Sequence, residues 1–96
     1  MRFEWDEAKN RSNLKKHGID FETAALVFED PHQVSFKDRI VEGEERWKTF
    51  GVVGRTIVMV AHTWCEEDEK EIIRIISARR ADAHEKRIYE AHQASG

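Results

Sequence analysis

The chain has 96 residues, 40% of them hydrophobic, with one proline, one cysteine and a net charge of −3. A length near 100 residues closes one hydrophobic core and would starve two, so a single domain spanning 1–96 is expected. Cys65 alone excludes an internal disulfide and a multi-cysteine zinc site; with no apolar run longer than Ile57 to Ala61, the expected location is cytoplasmic, with no membrane contact.

The charge is divided along the chain. Residues 1–20 carry five basic and four acidic groups, 21–69 five and eleven, and 70–96 six and four. A phosphate-binding surface would therefore draw on the two ends plus a few cations of the middle.

Asp6 followed by Glu7 signals a helix start, and Lys15, Lys16 and His17 before Gly18 signal an end matched to the helix dipole, which places a first helix at 6–17. Asp20 caps a second helix whose Phe21, Ala24, Ala25 and Phe28 share one face, and Pro31 stops it. From Gln33 the period changes to two. Val34 with Phe36, Arg46 to Val53, Thr56 to Trp64 and Lys70 to Ala78 read as four strands, with links at Val41 to Glu45, Gly54 with Arg55, and Cys65 to Glu69 short enough for hairpins. The third and fourth strands are apolar on both faces, and so central. Asp82-Ala-His-Glu85 matches a capping box and opens a last helix to about His92, with Ala81, Ile88 and Ala91 along one side. The expected fold class is α+β: two N-terminal helices, a four-stranded antiparallel sheet and a C-terminal helix, the helices grouped on one face.

Arg74 interrupts the apolar run Ile72 to Ile76. A guanidinium there needs a carboxylate partner or a cleft that receives an anion, and the cleft is favoured because an unpaired buried charge costs several kcal/mol. Arg79 and Arg80 follow where the strand gives way to the helix, with Ser77 on the face of Arg79; three arginine forks this close suit one phosphodiester. Arg46 and Lys48, two apart on a strand, also share a face, and His62 with Thr63 lies near the end of the third strand. A lone strand histidine is more often a packed residue than a catalyst, and clustered arginines are often only a solvated rim. The five histidines are scattered with no metal-ligand spacing, and no glycine-rich phosphate loop or nucleophile elbow occurs, so neither metal nor cofactor is expected.

Several strings coincide with one family: Phe3-Glu-Trp-Asp-Glu-Ala-Lys9, Asn13-Leu-Lys-Lys-His-Gly18 followed by Phe21, Glu45-Arg46, and Ile73-Arg-Ile-Ile-Ser-Ala-Arg-Arg80. In this order, from about Phe3 to Tyr89, the chain resembles the BrnT toxins. The resemblance implies a RelE-like or microbial-ribonuclease-like fold, RNA cleavage that shuts down translation, and neutralisation by a BrnA-like antitoxin. It also implies a functional surface on Lys16 or His17, Arg46, Lys48, Thr63, Arg74, Ser77 and Arg79; Arg80, from the arginine cluster itself, is expected as a further RNA contact.

Metal-independent RNA cleavage needs a base for the 2′-hydroxyl, an acid for the 5′-oxygen and cations for the phosphorane charge. The arginines serve the charge, and the base stays open between His17, Lys48 and His62. One departure stands out: the basic residue that relatives carry after the strand threonine is replaced here by Trp64, Cys65 and the acids Glu66 to Glu69. An alternative is a toxin-like module without catalysis, acting with its antitoxin on operator DNA. Outward Glu22, Glu29 and Asp30 give the second helix the wrong sign for phosphate, so operator contact is expected only through the antitoxin complex.

Overall fold

The computed structural model describes residues 1–95, with side chains as far as Gln93. In chain order the elements are β1 (Arg2–Glu4), α1 (Glu7–His17), α2 (Phe21–Ala25) running into a 3-10 turn (Leu26–Glu29), β2 (Val34–Val41), β3 (Glu44–Val53), β4 (Thr56–Glu67), β5 (Lys70–Arg80) and α3 (Ala83–Ser95).

Local signals hold at the helix ends. The Asp6 carboxylate accepts from the Lys9 N–H at 3.1 Å and that of Asp20 from Thr23 at 2.7 Å, while Gly18 closes α1 with a left-handed φ of 73°. Asp82 and Glu85 exchange the two reciprocal capping bonds at 2.8 and 2.9 Å. The second helix is shorter than its apolar period suggests, because its last turn tightens to 3-10 before Pro31.

The sheet corrects the expected topology. It has five strands in the order β1-β5-β4-β3-β2, and β1 runs parallel to β5 with Phe3 opposite Ile73. A three-residue strand shows no readable alternation, and its partner lies far along the chain, so a four-stranded antiparallel sheet was the most that local periodicity could suggest. The three hairpins turn on two residues each, Glu42-Gly43, Gly54-Arg55 and Asp68-Glu69. Glu42, Gly43, Asp68 and Glu69 all take positive φ, as such tight turns require. Tight turns leave β4 and β5 longer than expected, and Arg79 and Arg80 therefore belong to β5 itself.

Helices cover both faces, which corrects the expectation that they group on one. On the first face α1 and α2 bury Ile19, Phe21, Ala24 and Val27 against Val58, Val60, Ile73, Ile75 and Ala78. Asn13 locks this layer: its amide donates to the carbonyls of Ala78 (2.7 Å) and Ile19 (2.9 Å) and accepts from the Ala78 N–H (3.1 Å), satisfying strand groups that β1 is too short to reach. At Gly51 a Cβ would sit 2.8 Å from both the Val27 side chain and its carbonyl oxygen, so the 3-10 turn presses on β3 where only glycine leaves room.

On the second face α3 packs Tyr89 and Ile88 over Phe50, Met59, Val52 and Ile57, near the Gly54-Arg55 hairpin. The Tyr89 hydroxyl donates to Asp30, which also accepts from the Val52 N–H at 2.8 Å and so ties α3 to the edge of β3. The other end of this face is open. Among the described residues no helix is long and apolar enough to cross a membrane.

One irregularity phases the strands. Ala61 pairs with Ser77 but His62 with Ile75, so Ile76 is an extra residue, a β-bulge. Ile73 and Ile75 before it and Ala78 after it all face the α1–α2 core. Arg74, Ser77 and Arg79 accordingly point together to the second face, although positions 74 and 77 would diverge on a regular strand.

Candidate functional site

The second face gathers six of the residues singled out in the sequence, five toward its open end and Arg79 beside α3. β3 supplies Arg46 and Lys48, β4 supplies Thr63, and β5 supplies Arg74, Ser77 and Arg79. Cross-strand pairing sets Thr63 beside Arg74 and Lys48 beside Ala61, which in turn faces Ser77, so a small side chain lies between the lysine and the serine.

Each cation has a carboxylate. Glu44 reaches across from β3 to bond the Arg74 guanidinium and stands 3.6 Å from Arg46 Nε. Lys48 Nζ lies 3.9 Å from Asp38. Arg79 sends both arms of its fork to Glu85 at 2.7 and 3.0 Å. This hydrogen bond raises the Arg79 pKa against the opposing effect of burial. Burial alone would push the Glu85 carboxyl up, and the Arg79 fork with the Asp82 N–H reverses it to below the ordinary carboxylate value.

Two features bear on anion binding at this face. Arg74 is half-exposed and lines a cleft of about 340 Å³ with Thr63, Trp64, Cys65, Ile72 and three carboxylates, Glu4, Glu44 and Glu45, so an entering anion has to displace acid from the guanidinium. The pairing with Glu44 and the cleft coexist, so the two alternatives for Arg74 are not exclusive. The Arg46 Nε–H is buried with the Glu44 carboxylate at 3.6 Å but no hydrogen bond, so it is a donor with room for a closer acceptor.

Other expected residues lie elsewhere. His62 points to the first face, 4% exposed, its ring edge-on to Phe28. Its Nε2 shares a 2.7 Å hydrogen bond with Thr49, whose hydroxyl meets that of Ser35 at 2.7 Å. Burial lowers its pKa. Lys16 and His17 sit in the last turn of α1, in the layer over the first face. Arg80 ends β5 and borders a hollow with Arg55 and Lys86 at the far hairpin.

Sequence pattern does not mark Glu44 or Asp38 as partners of these cations, and it marks Glu85 only as a capping residue and His92 only as a helix end. The His92 ring stacks edge-on against Phe36 at 5.8 Å, and Phe36 pairs with Lys48. The one signal that could find Glu44 is its place two residues before Arg46, on the same face. The choice of Arg74 as its second partner is tertiary.

Residues 5–85 match the family model described as the ribonuclease toxin, BrnT, of a type II toxin–antitoxin system. A search of curated proteins finds no match.

Proposed function

Because the chain belongs to the BrnT family of ribonuclease toxins of type II toxin–antitoxin systems, we propose that it cleaves RNA without a metal ion, thereby inhibits translation, and is neutralised by a BrnA-like antitoxin. The observation that carries this reading is the convergence of Arg46, Lys48 and Arg74 with Thr63 and Ser77 on one open face. A phosphodiester entering the cleft exchanges with Glu44 on the Arg74 and Arg46 forks and satisfies the orphan Arg46 Nε–H.

The 2′-oxygen attacks phosphorus as the bond to the 5′-oxygen breaks, and the guanidinium groups hold the phosphorane charge. Of the three bases left open, Lys48 alone shares this face, and Glu44 joins it. We assign the 2′-hydroxyl proton to Glu44, freed as the arginines turn to phosphate, and the proton for the leaving oxygen to Lys48. Arg79 holds α3 through Glu85 and serves the site by position.

The test is cleavage of RNA by purified chain in EDTA, together with growth and RNA integrity on expression with and without the antitoxin. Cleavage in EDTA, arrest, and rescue are expected; strict need for a divalent ion overturns the metal-free mechanism. Glu44→Gln should abolish cleavage, and faster cleavage would make Glu44 a plug and not a base. The pairing of each cation by a carboxylate also fits a chain that no longer cleaves and acts with its antitoxin at operator DNA. Intact RNA beside operator binding by the complex would select that second reading.

A further inference from the structure

On the first face the α1–α2 layer stops short of the acidic hairpins and leaves a hollow of about 330 Å³, lined by Trp47, Trp64, Phe28, Ile73 and the buried His62. Its aromatic wall is not closed over: Trp64 is 46% exposed, and its indole N–H donates to Glu71 at 3.2 Å. Glu66 stands directly opposite Glu71 on the β4–β5 pair, on the same side as Trp64. Like charges so placed repel, and a cation brought between them relieves the repulsion. Asp68 and Glu69 complete the hairpin tip just beyond.

An apolar slot with this rim repels phosphate, so RNA is the wrong occupant. It suits an apolar side chain on a protein segment that also carries lysine or arginine. Tryptophan-walled pockets ringed by polar groups are where interfaces concentrate their binding energy. We infer that the Trp47–Trp64 hollow receives an apolar side chain from a basic segment of the antitoxin. This rests on the reading of the chain as a toxin with a protein partner. Trp64 also borders the Arg74 cleft, but Trp47, Phe28, Ile73 and His62 lie across the sheet from Arg46 and Arg74, so the antitoxin is gripped without drawing on the arginines that meet RNA.

The experiment titrates the antitoxin encoded beside this chain, purified, into the wild-type chain and three variants by calorimetry at two salt concentrations, with RNA binding followed in parallel. Trp64→Ala should weaken the antitoxin by about tenfold or more. Glu66→Lys should weaken it by roughly threefold and flatten its salt dependence. Arg74→Met should leave it within about twofold, because no contact is lost on that side.

Undiminished affinity in both Trp64→Ala and Glu66→Lys overturns the docking site, and so does a loss in Arg74→Met as large as that in Trp64→Ala. If Trp64→Ala does not fold, Glu66→Lys, at an exposed position, decides alone. RNA affinity that falls with Trp64→Ala as far as antitoxin affinity makes the hollow an RNA subsite and ends the proposal. A wild-type chain that cleaves RNA but whose variants bind antitoxin normally removes only the docking site; a wild-type chain that neither cleaves RNA nor binds the antitoxin removes the toxin reading with it.

Discussion

The two faces of the sheet are built from the same strands and solve opposite problems. Toward α1 and α2, β4 and β5 present Val58, Val60, Ile73, Ile75 and Ala78, and the polar groups buried on that side, the Asn13 amide and the His62 ring among them, are hydrogen-bonded. Toward the open cleft the same strands present Thr63, Arg74, Ser77 and Arg79, and the cations are held by carboxylates from other elements. Burial fixes the first face and the part of the second beneath α3, whereas replaceable ion pairs fix the cations beyond it. Stability and chemistry can therefore be changed separately, strand by strand, except where a cation also fastens a helix.

The sharpest way to break that division is to damage the first face and look for a direct effect on chemistry. Phe21 is fully buried, so Phe21→Ala should cost about 3–5 kcal/mol. Its melting temperature should fall by more than about 10 °C, measured by circular dichroism. Below that temperature RNA cleavage per folded molecule should match wild type; a specific loss would mean that the faces are coupled.

The next largest effect should come from the second face. Arg74→Met is expected to reduce cleavage on the order of a hundredfold with a melting shift of only a few degrees. Arg74→Lys should also impair turnover, because an ammonium cannot present the planar fork. Full activity in the lysine variant with unchanged melting would remove the phosphate-binding role of Arg74.

Arg79 tests the exception. Its fork satisfies the buried Glu85 carboxylate, so Arg79→Ala should lower stability by about 1–3 kcal/mol. The folded pKa of Glu85 lies below its ordinary 4.5, so its contribution is full above that value and is lost as pH falls through the folded pKa. Urea titrations from pH 6 downward should show a smaller acid loss in Arg79→Ala than in wild type. An unchanged melting curve would return Arg79 to the site proper.

The smallest effect should be that of His62. Its folded pKa is held below 6.5 by burial, so the unfolded chain takes up the proton first. Stability from neutral His62 is full above pH 6.5 and declines as pH falls toward the folded value. His62→Gln should flatten this slope and leave the pH profile of cleavage unmoved. A shifted cleavage profile would draw His62 into the chemistry from the opposite face.

What was legible in the sequence was local. Asp6, Asp20, Gly18 and the Asp82–Glu85 box announce helix ends through bonds made within a few residues, and the turn residues bracket the hairpins. β1 escaped because three residues carry no period and its bonds go to β5. The side of the sheet occupied by His62 was hidden because β4 is apolar on both faces, which erases alternation. The cationic members of the face were visible as residue types, but their partners Glu44, Asp38 and Glu85 are matched by tertiary structure. Asn13, read only as part of a recurrent string, owes its place there to the strand edge it completes.

Ile76 carries a consequence at the level of the gene. Loss of its single codon would leave the frame, the charge and nearly the whole hydrophobic content intact. Ile75 and Ser77 would become neighbours opposite His62 and Ala61, a regular register in which Ile73, Ile75 and Ala78 still face α1 and α2 while Arg74, Ser77 and Arg79 still share the second face. Three nucleotides are thus spare for register: β5 carries one residue more than its partner strand, and the bulge is how the sheet absorbs it.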